Sequence, residues 1–173
     1  MAGSLKKIQE TTVSSAVSSV TLTGINSTFD VYKLVVNNVH PSVADSNLGI
    51  RVTESGTANS TSNYDLSAKF LRTAVSFGNS SLTNKDKYGF GSFIGAGDTG
   101  DRTQGVFYIF NANNSSEFTF MTTEVTHFQV AAVLMGQQGG YVFTSASTVD
   151  GVQFFYSSGN IASGTFTLYG LKK

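Results

Sequence analysis

The chain has 173 residues, enough for one domain that buries roughly two-thirds of its unfolded surface. It carries 43 Ser and Thr and 18 Gly, and its 11 basic residues balance 11 acidic ones, which gives no electrostatic reason to expect nucleic acid or an anionic membrane as partner. The absence of Cys excludes disulfides and thiolate metal sites, and 14 Phe with 7 Tyr exclude a disordered chain.

The opening MAGSLKKIQETT lacks the apolar stretch of an export signal, and no run approaches the ~20 apolar residues of a membrane-spanning helix. Lys6-Lys7 and Lys172-Lys173 read as solvated ends of a single domain over 1–173, with short tails at 1–7 and 171–173. LKKIQET and SSVTLTG are the first strand candidates. DVYKLVVNN follows, with Tyr32, Leu34 and Val36 on one face and Val31, Lys33 and Val35 on the other. Because both faces are largely apolar, it reads as a central or interface strand. In NLGIRVTE, Leu48, Ile50 and Val52 oppose Arg51 and Thr53, the pattern of a half-solvated strand. Between the two lies NNVHPSVADSN, a turn carrying the only proline, Pro41.

Residues 60–78 keep strand spacing at Tyr64, Leu66, Ala68 and Phe70, although a short helix over 65–75 also fits; Ser, Thr and Asn in the flanks favour strand. Residues 79–105 read as a Gly-rich loop holding Tyr88, Phe90 and Phe93. Six short strand-like runs follow, from GVFYIFNA to ASGTFTLYG, divided by Gly, Asn and Ser. In the last, Phe166 and Leu168 share a face opposite Thr165, Thr167 and Tyr169. The pattern predicts an all-β fold, an antiparallel β-sandwich of jelly-roll type with about 8–11 short strands and little helix.

Little in the sequence resembles reaction chemistry. His40 lies beside Pro41 and His127 before FQVAAVLM, and nothing sets a serine or an acid around either. No catalytic residue, cofactor or metal ligand is assigned. Asp98 and Asp101 in GAGDTGDR are close enough to share a hard cation, but the regular ligand spacing of a calcium loop is missing, and Asp101 beside Arg102 reads as a solvated turn. GFGSFIGAG lacks the lysine and helix of a phosphate loop. N-x-S/T sequons at Asn26, Asn59, Asn79 and Asn114 follow from the abundance of these residues. The groups Tyr88/Phe90/Phe93, Phe107/Tyr108/Phe110 and Phe154/Phe155/Tyr156 suit a core on one face and an oligomer interface on the other; stacking on sugars is the alternative.

DVYKLVVNNVHPSVADSNLGIRVTESG, then NYDLSAKF, and the closing GNIASGTFTLYGLKK resemble small structural proteins of tailed bacteriophages, especially those infecting cyanobacteria. Val35-Val36-Asn37-Asn38 and Leu168-Tyr169-Gly170 carry most of the likeness, which spans about half the chain at its two ends; residues 79–140 have no part in it. The resemblance implies a virion component without catalysis: a capsid decoration (cement) protein, or alternatively a tail or fibre-associated module that recognises a host-surface glycan. It also implies a homo-oligomer, a trimer being favoured, in contact with the major capsid protein or tail proteins. Neither nucleic acid nor membrane is an expected partner.

Overall fold

The computed structural model of the protein describes residues 4–73, 77–94, 100–129 and 133–171, and for 90–94 the backbone alone. The described residues form thirteen strands: β1 (Leu5–Val13), β2 (Ser19–Thr23), β3 (Val31–Pro41), β4 (Ser46–Glu54), β5 (Thr57–Ala58), β6 (Tyr64–Arg72), β7 (Gly78–Lys85), β8 (Tyr88–Ile94), β9 (Thr103–Phe110), β10 (Thr119–Phe128), β11 (Leu134–Phe143), β12 (Gly151–Tyr156) and β13 (Ile161–Leu171). Eight make one sheet in the order β1-β13-β3-β9-β10-β11-β6-β7. The other sheet runs β2-β12-β4-β5, with β8 also on β4. The ends of the chain pair first, β1 with β13, and then β2 with β12, while β3 and β4 continue the two sheets side by side. Winding a long antiparallel ribbon across two sheets in this way gives a jelly roll. The hairpins β6–β7 and β10–β11 are additions that widen only the larger sheet, which therefore overhangs the smaller one.

The strands follow from period-two patterning. In β10 buried and exposed residues alternate without a break from Thr119 to Phe128. Phe107 of β9, Phe154 of β12 and Phe166 of β13 meet across the sandwich, with ring centroids 6.1 and 5.0 Å apart. Under the overhang, Tyr64, Tyr88, Tyr141 and Phe143 form a second aromatic group with centroid separations of 4.8 to 5.3 Å. Aromatic pairs of this kind, edge-to-face or tilted, add about 0.5–1.5 kcal/mol each beyond area burial.

Two glycines at the C-terminal strand are required by contact. Gly164 has φ +140 and lies where β13 slips register against β3; a Cβ there would sit 2.8 Å from the Val39 backbone. Gly170 lies flat under the Phe29 ring, 2.3 Å from where its Cβ would be. Asn38 completes the opposite bulge with φ 54, and its amide and that of Gln104 hold each other: Gln104 Nε2 donates to Asn38 Oδ1 at 3.0 Å, and Asn38 N–H donates to Gln104 Oε1 at 2.9 Å. Asn38, Gly164 and Gly170 thus have structural duties around the β3–β13 pair.

Several expectations change. Residues 79–105 are not a loop throughout: β7 and β8 occupy most of the stretch, held by β6 and β4. Residues 60–78 contain a strand, β6, as their spacing and flanks favoured over a helix. β4 is covered on both faces instead of half-solvated, because Gly49 packs against Lys87 and Phe155, and Thr53 is buried. Leu5 pairs with Leu171, so part of each expected tail belongs to the sheet.

Candidate interaction surface

The positions singled out for chemistry lie apart. His127 is a buried, inward-facing residue of β10. His40 is near the end of β3; desolvation and the neighbouring Arg102 lower its pKa, with Asp101 partly offsetting them. Asp98 lies outside the described residues. Among the described residues, no group of three or more His, Cys, Asp or Glu stands close enough to hold a metal ion. Arg51 is held on two sides: its guanidinium lies over the Phe155 ring at 4.6 Å and donates to Asp86, which also accepts from Lys87. Burial alone would raise the Asp86 carboxyl, but Lys87 and Arg51 outweigh it and hold the pKa below its ordinary value.

The aromatic groups expected in core and interface, with sugar stacking as the alternative, are divided by the sandwich. Tyr88, Phe107, Phe154 and Tyr156 are in the core, as is Tyr141. Burial raises the Tyr88 hydroxyl well above its usual pKa, with Tyr64 and Asp65 adding to the shift. The side chains of Phe90 and Phe93 lie outside the described ones. Three sequon asparagines have a local structural reason: Asn26, Asn59 and Asn114 each accept a backbone N–H from two residues ahead, at 2.8 to 3.0 Å, forming Asx turns.

What remains is the outward face of the larger sheet. One cross-strand row runs Val31–Phe110–Phe120–Val142 through β3, β9, β10 and β11. The next runs Tyr169–Lys33–Tyr108–Thr122–Gly140, with the Lys33 ammonium 5.7 Å from the Tyr108 ring centroid. A third runs Thr167–Val35–Val106–Glu124–Gln138–Lys69, where Gln138 donates to Glu124 at 3.2 Å. Phe120 is 46% exposed, and Phe118, Phe128 and Leu134 are also exposed. Beside Phe120 is a shallow 350 Å³ dent, bounded by Ser67, Leu82, Thr122 and Val142, with Gly140 at its floor. A Cβ added to Gly140 would meet nothing within 4 Å. A protruding ring beside an open apolar hollow, with Lys33 and Lys69 set against Asp65 and Glu124, makes a neutral, knobbed sheet face.

Val31, Val35, Tyr108 and Phe110 were legible as two-sided strand residues. Phe120 and Gly140 were not, since only the β9–β10–β11 register sets them beside the others. The chain matches no family model and no curated protein.

Proposed function

We propose that this protein is a non-enzymatic structural component of a virion, a capsid decoration protein that acts as a homo-oligomer on the phage shell. The observation that carries the reading is the outward face of the larger sheet, where an aromatic and aliphatic row lies next to an open apolar dent. Phe120 of one copy fits the Gly140 hollow of the next, an anchor-in-pocket contact of the kind that dominates interface energies. Repeated around an axis, the contact closes a ring, and a trimer is the form favoured. The oligomer then lies against the major capsid protein, and many simultaneous weak contacts hold it there and stabilise the shell. Likeness of the chain ends to small phage proteins supports the virion setting.

Two measurements test this. Sedimentation of the full chain gives an oligomer, and Gly140→Val, which fills the hollow without an internal clash, keeps the fold and lowers the oligomeric state. On intact particles, imaging finds hundreds of copies on the icosahedral shell. An 18.3 kDa monomer at every concentration removes the homo-oligomer, and a few dozen copies at the tail move the protein there.

A second reading, a tail or fibre-associated carbohydrate module, draws on one feature. A 360 Å³ cleft opens under the overhang of β6 and β7, between an apolar wall of Leu66, Phe70 and Leu82 and the polar side chains of Asn47, Asp86 and Gln137. Its volume is near the lower end of the ~300–1,000 Å³ range of ligand pockets. Gln137 is buried and donates to Tyr141 at 2.5 Å, which fixes its amide. Binding of host-surface polysaccharide that is lost in Phe70→Ala supports this reading; binding unchanged by that substitution removes the cleft as its location.

A further inference from the structure

The eight-stranded sheet has two open edges, β1 and β7. The outward backbone N–H and C=O groups of an edge strand template pairing with another chain, and proteins guard such edges with lysines, prolines and bulges. β1 is guarded, for it carries Lys6 and Lys7 and its register with β13 breaks between Lys7 and Gln9. β7 is not. From Gly78 to Thr83 it has neither charge nor proline, and its register with β6 is unbroken from Phe70↔Gly78 to Leu66↔Leu82. The irregularity comes only afterwards, between Tyr64 and Leu66 on β6, beside Asn84 with φ 54. Among the described residues β7 pairs with β6 alone. Two of the most exposed apolar side chains, Phe77 at 66% and Leu82 at 42%, stand at either end of this neutral stretch.

We propose that the β7 edge is a second self-association site, at which two copies pair β7 with β7 antiparallel about a two-fold axis and join their larger sheets into one. The occupant is a second copy because the segment is compatible with itself. A two-fold pairing sets each residue against the same short segment, and a segment without charge meets no like-charge penalty. The guarded β1 edge selects this closed arrangement over head-to-tail addition, which would pair β7 with β1 and grow a filament. Phe77 and Leu82 gain cover at the ends of the shared ladder. The contact adjoins the Phe120 face, for Leu82 also bounds the hollow there, and a shell part carrying both has one contact that closes a ring and another that links rings.

The test uses the full chain carrying Phe120→Thr, so that the edge contact is the one measured. Sedimentation over micromolar to submillimolar concentrations gives a dimer. Ser81→Lys alone and Ser81→Glu alone each weaken it by about tenfold or more, and an equimolar mixture of the two regains it. A variant that had merely lost its fold is not rescued by mixing, and unchanged thermal unfolding of each monomer confirms that the fold is kept. The proposal is overturned if the Phe120→Thr protein stays monomeric throughout, if its dimer is unaffected by both Ser81 variants, or if mixing restores nothing.

Discussion

Replacing Phe120 by Thr separates the interface from the fold. A buried Phe covers about 150–250 Å²; at 46% exposure about 90 Å² of this ring faces water in the single chain. Covering that area at ~25 cal/mol per Å² contributes about 2 kcal/mol per contact, close to a thirtyfold change in dissociation constant. Thr keeps a β-branched carbon on the pleat, so the single chain loses only about 1 kcal/mol, a fall in Tm of about 2–4 °C. The substitution is made together with Ser81→Lys, to isolate the face, and compared with Ser81→Lys alone by sedimentation and thermal unfolding. Phe107→Ala in the adjacent strand is the contrast: that ring is fully buried, and its loss costs about 3–5 kcal/mol of stability. The face assignment is refuted if Phe120→Thr leaves association unchanged, or if it destabilises the chain as much as Phe107→Ala does.

Adjacent residues of β12 give a second test, since Phe154 is fully buried between Phe107 and Phe166 whereas Phe155 is half-buried on the opposite face under Arg51. Chemical denaturation should show Phe154→Ala costing about 3–5 kcal/mol and Phe155→Ala about 1–2 kcal/mol; equal costs would contradict the assigned faces. Asp150 accepts from Thr53 Oγ1 at 2.6 Å and from Gly56 N–H at 2.7 Å, tying β4 and the turn after it to the start of β12. Asp150→Ala should lower stability by about 2–3 kcal/mol, and Asp150→Asn by less, because hydrogen bonds to a charged group are the stronger ones. His40 has a folded pKa below its ordinary 6.5, so the unfolded chain binds more protons as pH falls. Its contribution to stability is complete above pH 6.5 and is lost as pH falls from there through the lower folded value. Denaturation midpoints across that window should slope for the native chain and flatten in His40→Gln; an unchanged slope assigns it elsewhere.

The sequence by itself determined the strands that alternate cleanly and the parity within them. Tyr32, Leu34 and Val36 against Val31, Lys33 and Val35, and Phe166 and Leu168 against Thr165 and Tyr169, could be read because each strand carries its own period-two pattern. Residues 78–94 could not, since Gly, Ser and Asn give no alternation; β7 and β8 exist because β6 and β4 offer them a ladder, and tertiary pairing overrides weak propensity. Parity also does not say which face turns inward. Composition alone allows Tyr88 and Tyr141 to be surface rings, yet Tyr88 on β8 and Tyr141 on β11 bury one another between the sheets, with centroids 5.3 Å apart, while Phe120 is left outside because among the described residues its face has no covering layer. Asn38 and Gly170 lie outside that pattern too, since their reasons are a left-handed bulge and a ring stacked on bare backbone. Local pattern therefore set the strands, but neighbours distant in sequence set the surface: β10 brings Phe120 between Phe110 and Val142, and β7 is left with an open edge, only through pairings that no single segment encodes.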